Sequence, residues 1–200
     1  MGLREQKKQQ MRQRLYESAA ARFREHGFEA TRVKDITERA QVSEATFFNY
    51  FPTKESVLLD SELEIKALYA EFLRQLLARS SEPVVARLRE LVSVLGQVFA
   101  ADREFMVAVV GRTGVFYGST GRAKEMDLEN FGLLADLFVQ GQASGEIGAR
   151  HDPMQLAEIL TATFMLTITN WMTDWWGDVG GLEPRLMPAV EVFLGGCRAA

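Results

Sequence analysis

Apolar residues recur at intervals of three and four along nearly the whole chain, and this rhythm confines the fold to packed helices. Met11, Leu15, Ala19 and Phe23 make the first stripe. A longer one runs through Val57, Leu58, Ser61, Ile65, Leu68, Tyr69, Phe72, Leu73 and Leu76. Further stripes extend from Val84 to Phe99, Phe105 to Val110, Leu128 to Val139, Leu156 to Trp171 and Leu186 to Leu194. No segment alternates apolar and polar residues between turn signals, and no repeat period is visible. The expected fold is all-α, with about nine helices. Gly27 is a stop after the first stripe, and Ser43 and Asp152-Pro153 are starts. Pro188 is expected to open the last helix, because a proline deeper inside removes a backbone bond. Gly111, Gly114, Gly118 and Gly121 interrupt the pattern, so that stretch receives no firm element.

With 200 residues, 47% hydrophobic and 25% charged, the chain can bury a core without cross-links. Its one cysteine, Cys197, offers no disulfide framework. The polar N-terminus lacks a signal-peptide core, and a cytoplasmic location is expected. No apolar run approaches the roughly 20 residues of a membrane span, so no membrane partner is expected. Charge is distributed unevenly. Residues 1–54 carry 11 Lys and Arg against 7 Asp and Glu, whereas residues 55–200 carry 12 against 20. A basic head on an acidic body suggests an anionic partner at the N-terminal end.

The stretch from Thr31 to Lys54, TRVKDITERAQVSEATFFNYFPTK, joins two short helices through Ala40-Gln41-Val42-Ser43. Ile36, Ala40, Val42, Phe47 and Phe51 are the inward positions, which is helix-turn-helix spacing. Such a pair lays its second helix in a DNA major groove. Base reading is assigned to Glu44, Ala45, Phe48 and Asn49: Asn49 suits adenine, and Ala45 or Phe48 suits a thymine methyl. Glu44 either accepts from cytosine or is a solvated carboxylate at a helix start. Ser43 and Thr46 offer hydroxyls to a phosphate near the helix N-terminus. Thr31 serves the strand from the start of the first helix, and Lys54 brings charge to a helix start. Arg32 and Lys34 add positive charge outside the pair. Arg4, Lys7, Lys8, Arg12 and Arg14 are either a tail onto DNA or a frayed end.

Gly27-Phe28-x-x-Thr31, Val33-x-x-Ile36, Val42-Ser43-x-x-Thr46 and Tyr50-Phe51-x-x-Lys54-Glu55 together closely resemble the TetR family of bacterial transcriptional regulators. The resemblance is specific over residues 8–60; beyond them it is a length and a helical pattern. It implies that Tyr50 donates its phenol to a phosphate, that the body holds a small-molecule pocket, and that the last two helices pair in a twofold dimer. The domains are then a DNA-binding head, residues 1–52, and a ligand-binding and dimerisation body, residues 53–200. One position departs from the family's pattern, which has glycine where this chain has Gln41. In left-handed geometry a non-glycine residue costs about 1–2 kcal/mol, unless the turn is opened.

The body has little from which to build an enzyme. Its histidines and its thiol form no catalytic or metal spacing, and the glycines at 111–121 follow no strand. No cofactor and no metal are expected. An apolar pocket between helices would be lined by Phe72, Phe99, Phe105, Met106, Phe131, Phe138, Phe164 and Trp171, with Arg112, Thr167 and Asn170 as polar candidates. The last two helices have more apolar faces than one core uses. Leu160, Phe164, Trp175, Val190, Phe193 and Leu194 are therefore assigned to a homodimer interface. The reading is a ligand-responsive repressor with a near-palindromic operator, a mostly apolar effector of unknown identity and a second copy of itself as partners. The rival reading is a helical carrier or enzyme in which the helix-turn-helix is incidental.

Overall fold

The computed structural model describes residues 2–113, 121–175, 177 and 181–198, without the side chains of Arg112 and Thr113. Among the described residues there are nine helices: α1 (Leu3–His26), α2 (Val33–Ala40), α3 (Glu44–Phe48), α4 (Glu55–Ala78), α5 (Val84–Ala101), α6 (Arg103–Thr113), α7 (Gly121–Ala143), α8 (Pro153–Met172) and α9 (Glu183–Cys197). No strand occurs among them, and the one extended pairing is an isolated bridge between Ile147 and Arg198. None of the described helices is long and apolar enough to cross a membrane.

The chain forms two compact units. The first contains residues up to Leu63 together with α6 from Glu104; the second contains Glu64–Arg103 and α7 to α9. The first unit is built on Leu15, Ala19, Phe23, Phe28, Ile36, Ala40, Phe47, Phe51, Val57 and Leu58, all buried. Phe23 and Phe28 pack with ring centres 4.9 Å apart, and Phe47 and Phe51 with 5.6 Å. The aromatic rings do most of the filling, which lets helices as short as α2 and α3 persist where isolated helices of that length would melt.

The second unit is a larger helical assembly in which α7 and α9 pack on α5, and α8 packs on both α7 and α9. Asp152 caps α8, accepting from the Gln155 N–H at 2.9 Å, with Pro153 in the first turn. Gly141 is required by a close approach: a Cβ there would lie 2.6 Å from Ile147 Cγ1.

Two expectations are corrected. Pro188 does not open the last helix; α9 begins at Glu183 and runs through it. The proline deprives only the carbonyl of Pro184 of its i+4 donor, and both prolines are exposed, so water can serve that carbonyl. The glycines at 111 and 121 are likewise compatible with helix: Gly111 lies within α6, and Gly121 begins α7 with φ +55°. Gly114 and Gly118 lie outside the described residues.

Candidate nucleic-acid interface

The turn between α2 and α3 is fixed by its own backbone. The Val42 N–H donates to the Thr37 carbonyl at 3.0 Å and the Gln41 N–H to the Glu38 carbonyl at 3.2 Å. This is the Schellman arrangement, which requires the first residue after the helix to be left-handed. Gln41 supplies it with φ 53° and ψ 48°. The turn is therefore closed rather than opened, and the chain carries backbone strain of about 1 kcal/mol at that point. Ser43 then caps α3, its hydroxyl accepting from the Thr46 N–H at 3.1 Å and lying 2.9 Å from the Thr46 hydroxyl.

On α3, Phe47 is fully buried while Glu44, Ala45, Phe48 and Asn49 are exposed. The four residues assigned to base reading thus share the open face of the helix. Phe48 is 49% exposed, an apolar ring offered to solvent next to an amide, the combination that suits a groove edge carrying a methyl and an acceptor–donor pair. Arg32 and Lys34 are also exposed, at the start of α2, where the Asp35 carboxylate accepts from the Arg32 N–H at 2.8 Å. That bond holds the Asp35 carboxyl below its usual range. Tyr50 is half-buried.

Two side chains assigned to phosphate are instead spent on the head's own backbone. The Thr31 hydroxyl is buried and donates to the carbonyl of Gly27 at 2.8 Å, with Arg22 O at 3.1 Å. The Lys54 ammonium donates to the carbonyls of Phe28 at 2.6 Å and Thr31 at 2.8 Å, and stands 4.2 Å above the Phe28 ring. Burial pushes the ammonium below its ordinary value, against the smaller opposing effect of Glu55. Lys54 thereby fastens the loop between α1 and α2 to the start of α4 and positions α2 and α3 from behind.

Arg12 acts in the same way, although its place in a basic stretch gave no sign of it. It donates to the Tyr50 carbonyl at 2.8 Å, pairs with Asp60 at 2.5 Å and lies 4.5 Å over the Phe51 ring. On the other flank Arg39 pairs with Glu25 at 2.6 Å, tying α2 to α1 and holding the Glu25 carboxyl below its usual range.

Residues 15–60 match the family model "Bacterial regulatory proteins, tetR family". The HTH-type transcriptional repressor KstR of Rhodococcus jostii (strain RHA1) is 25% identical over 186 residues, spanning 92% of this chain and 82% of that one. Residues 15–60 are a DNA-binding head of the TetR family. Another relative, the HTH-type transcriptional regulator TcmR of Streptomyces glaucescens, is 32% identical over 137 residues, 63% of this chain and 59% of that one. Among solved structures, FadR of Thermus thermophilus, a TetR-family transcriptional repressor in complex with lauroyl-CoA, superposes with a TM-score of 0.71. It is 26% identical, with 94% of this chain and 97% of that one covered. With this head the chain is a DNA-binding, ligand-responsive transcriptional regulator.

The residues expected at the TetR-type effector site fall into three groups. Phe105 and Met106 are buried in the first unit, where the Arg24 guanidinium lies 5.0 Å over the Phe105 ring. Phe99, Phe138, Phe164 and Trp171 are buried in the second unit, Phe99 meeting Phe164 edge-on at 6.1 Å. Phe72, Phe131, Thr167 and Asn170 are half-buried in that same unit, the class of position from which a side chain can meet a ligand. Thr167 spends its hydroxyl on the Thr163 carbonyl at 2.8 Å. The Arg112 side chain lies outside the described residues.

Of the residues assigned to dimerisation, Leu160, Phe164, Val190 and Leu194 are buried in the chain's own core, and Phe193 packs edge-on against Phe138 at 5.9 Å. Trp175 is 71% exposed. The open faces of the same two helices carry Ile159, Ala162 and Leu166 on α8 and Pro184, Pro188 and Val192 on α9. Both faces of α8 and α9 are apolar, and periodicity alone does not rank them.

Sequence reading also missed the cations that bond to the body's own chain. Arg87, 1% exposed, donates to the Leu76 carbonyl at 2.8 Å and to Gln140 at 2.7 Å, sealing the end of α4. Arg103 donates to the Trp171 and Met172 carbonyls at 3.1 and 2.9 Å and pairs with Asp174, sealing α8. Lys66 is buried with Asp127, and Asn130 donates to the Lys66 carbonyl at 3.3 Å. The available signal was a charge on an apolar stripe: Arg87 falls between Val84, Leu88 and Leu91.

Proposed function

We propose that this chain acts in the cytoplasm as a homodimeric repressor that binds a near-palindromic operator and is released by a mostly apolar effector with a polar head. What carries the DNA half is the open face of α3, with Glu44, Ala45, Phe48 and Asn49 exposed on a turn locked behind them. Arg32, Lys34, Ser43, Thr46 and Tyr50 are the candidates for phosphate contact around that face, and Thr31 and Lys54 hold it in place. Two such faces about one helical turn apart would read successive major grooves.

The effector is a fatty acyl thioester or a ligand of that shape. The reading is supported by the lauroyl-CoA bound to the FadR relative, and by the aromatic inventory of α4, α5, α7 and α8. Phe72, Phe131 and Asn170 are the half-buried residues offered to it. The dimer forms through the open faces of α8 and α9, centred on Leu166 and Val192, which are 63% and 79% exposed. Burying such side chains is worth about 1.5–3 kcal/mol each, and a twofold axis uses every contact twice.

The test is to select duplexes from a randomised library with the purified protein, then titrate the recovered sequence with and without lauroyl-CoA. Recovery of an inverted repeat whose binding lauroyl-CoA weakens is expected. By linkage the duplex must weaken lauroyl-CoA binding by the same factor, 5- to 150-fold for a typical coupling. A bound acyl-CoA whose affinity is unchanged by saturating duplex would be a passenger and would remove the effector assignment. Leu166→Glu and Val192→Glu should each sediment as monomers; dimers in both would place the interface elsewhere.

A further inference from the structure

The first two turns of α1 have no role in the head's own packing. Residues 2–10 are all exposed, and the first buried side chain of α1 is Leu15. Residues 3–14, LREQKKQQMRQR, carry Arg4, Lys7, Lys8, Arg12 and Arg14 against the single acid Glu5. Among the described residues, the side chains of Arg4, Lys7 and Lys8 form no hydrogen bond or ion pair. The stretch is made of good helix formers, so it continues the helix that Leu15, Ala19 and Phe23 anchor.

Its orientation is set by Arg12. Arg4, Lys8 and Arg12 are four residues apart and lie in one row along the helix. Arg12 is pinned to the Tyr50 carbonyl at 2.8 Å, immediately after the base-reading positions Phe48 and Asn49. The row therefore leaves the end of α3 and runs outward, with Lys8 about 6 Å and Arg4 about 12 Å beyond Arg12 along the axis. A span of that length matches roughly three phosphates of one DNA strand, which follow one another every 3.4 Å or so along the duplex axis. On a chain whose net charge is -4, unneutralised cations aligned away from the reading helix have a clear complement in the duplex that helix would read.

We propose that Arg4 and Lys8, with Lys7 beside them, form a second phosphate-binding strip that extends the footprint on DNA beyond the bases read by α3. This rests on the reading of α3 as the base-reading helix. The strip carries no sequence information; it adds affinity, salt dependence and a requirement for flanking duplex.

The probe is the palindromic duplex recovered by selection, synthesised with 2 and with 12 flanking base pairs. Wild type and the double variant Arg4→Gln/Lys8→Gln, which keeps helix-forming side chains, are titrated against both at several salt concentrations. Wild type should bind the longer duplex more tightly than the shorter one. The variant should bind the two alike, with a salt slope lower by about 3.6, because two cations are lost from each of two protomers, so that its affinity falls roughly a hundredfold less than that of wild type between 50 and 200 mM salt. Its preference for the selected sequence over random duplex should be unchanged. A variant that keeps the wild-type slope and flank dependence overturns the strip and leaves the regulator reading intact. So does a variant that loses only binding to phosphatidylserine vesicles, which would assign the row to a membrane surface. A wild-type protein that recovers no duplex overturns both readings.

Discussion

The head and the body solve the same problem with the same chemistry and opposite consequences. In the first unit, Lys54 and Arg12 donate to the carbonyls of Phe28, Thr31 and Tyr50. In the second, Arg87 and Arg103 donate to the carbonyls of Leu76, Trp171 and Met172. Each cation satisfies backbone oxygens that a loop or helix end leaves open. In the body this closes an interior, with Arg87 almost wholly hidden. In the head it stiffens the frame around a face that stays open. The lesson is that a basic residue in a DNA-binding head is not thereby a phosphate ligand. Those that contact the chain's own carbonyls set where the reading face lies, and those with only exposed ion pairs, Arg32 and Lys34, or with no partner among the described residues, Arg4, Lys7 and Lys8, are the ones left for DNA.

The comparison breaks most sharply at Arg87. Arg87→Ala removes one of the two donors to the Leu76 carbonyl, leaves the Gln140 amide oxygen without its guanidinium and opens a cavity, so the body should lose about 3 kcal/mol in denaturant unfolding, with DNA binding by the surviving folded protein little changed. A loss below 1 kcal/mol would show that the interior does not depend on this guanidinium. Next comes Lys54→Met, which removes two charge-assisted bonds and should cost the head about 2 kcal/mol. Operator affinity should fall with it, at an unchanged salt slope. A slope lower by about 2, one contact from each protomer, would instead return the ammonium to a phosphate. Asn49→Ala, on the open face, should leave stability alone and reduce discrimination at one base pair by about 1–2 kcal/mol, read by competition between operator and single-base variants.

Smaller effects sharpen the same contrast. Gln41→Gly should stabilise the head by about 0.5–1 kcal/mol, strain relief at φ 53° outweighing the entropy that glycine adds to the unfolded chain. A lowered melting temperature would contradict the left-handed turn. In the body, Glu146 is subject to burial, which raises its pKa, but the N–H groups of Val84 and Val85 and the Ser144 hydroxyl more than offset this and hold it below the usual value. A carboxyl lowered in the folded state stabilises fully above its unfolded pKa, and that contribution disappears as pH falls through the folded one. Wild type should therefore lose more stability than Glu146→Gln on acidification below about pH 4.5, and parallel melting curves for the two would show that the capping charge is idle.

The sequence by itself determined the helical class, the helix-turn-helix and the choice of Glu44, Ala45, Phe48 and Asn49 as the exposed set. These depend on local spacing and capping: Ser43 caps α3, and Phe47 faces inward together with Phe51, four positions on. Pro188 failed as a boundary because the cost of a proline depends on which carbonyl it orphans and whether water reaches it, which spacing does not encode. Only the tertiary structure decided that Lys54, Thr31 and Arg12 face their own chain, since each meets a partner 9 to 48 residues away in sequence. The same holds for the faces of α8 and α9. Both sides of each helix are apolar, so the folded packing of α8 on α7 and α9, rather than periodicity, selects Leu160 and Val190 for the core and leaves Leu166 and Val192 outside. Burial is a property of what lies opposite a side chain, and long-range partners of equal hydrophobicity look alike in one dimension.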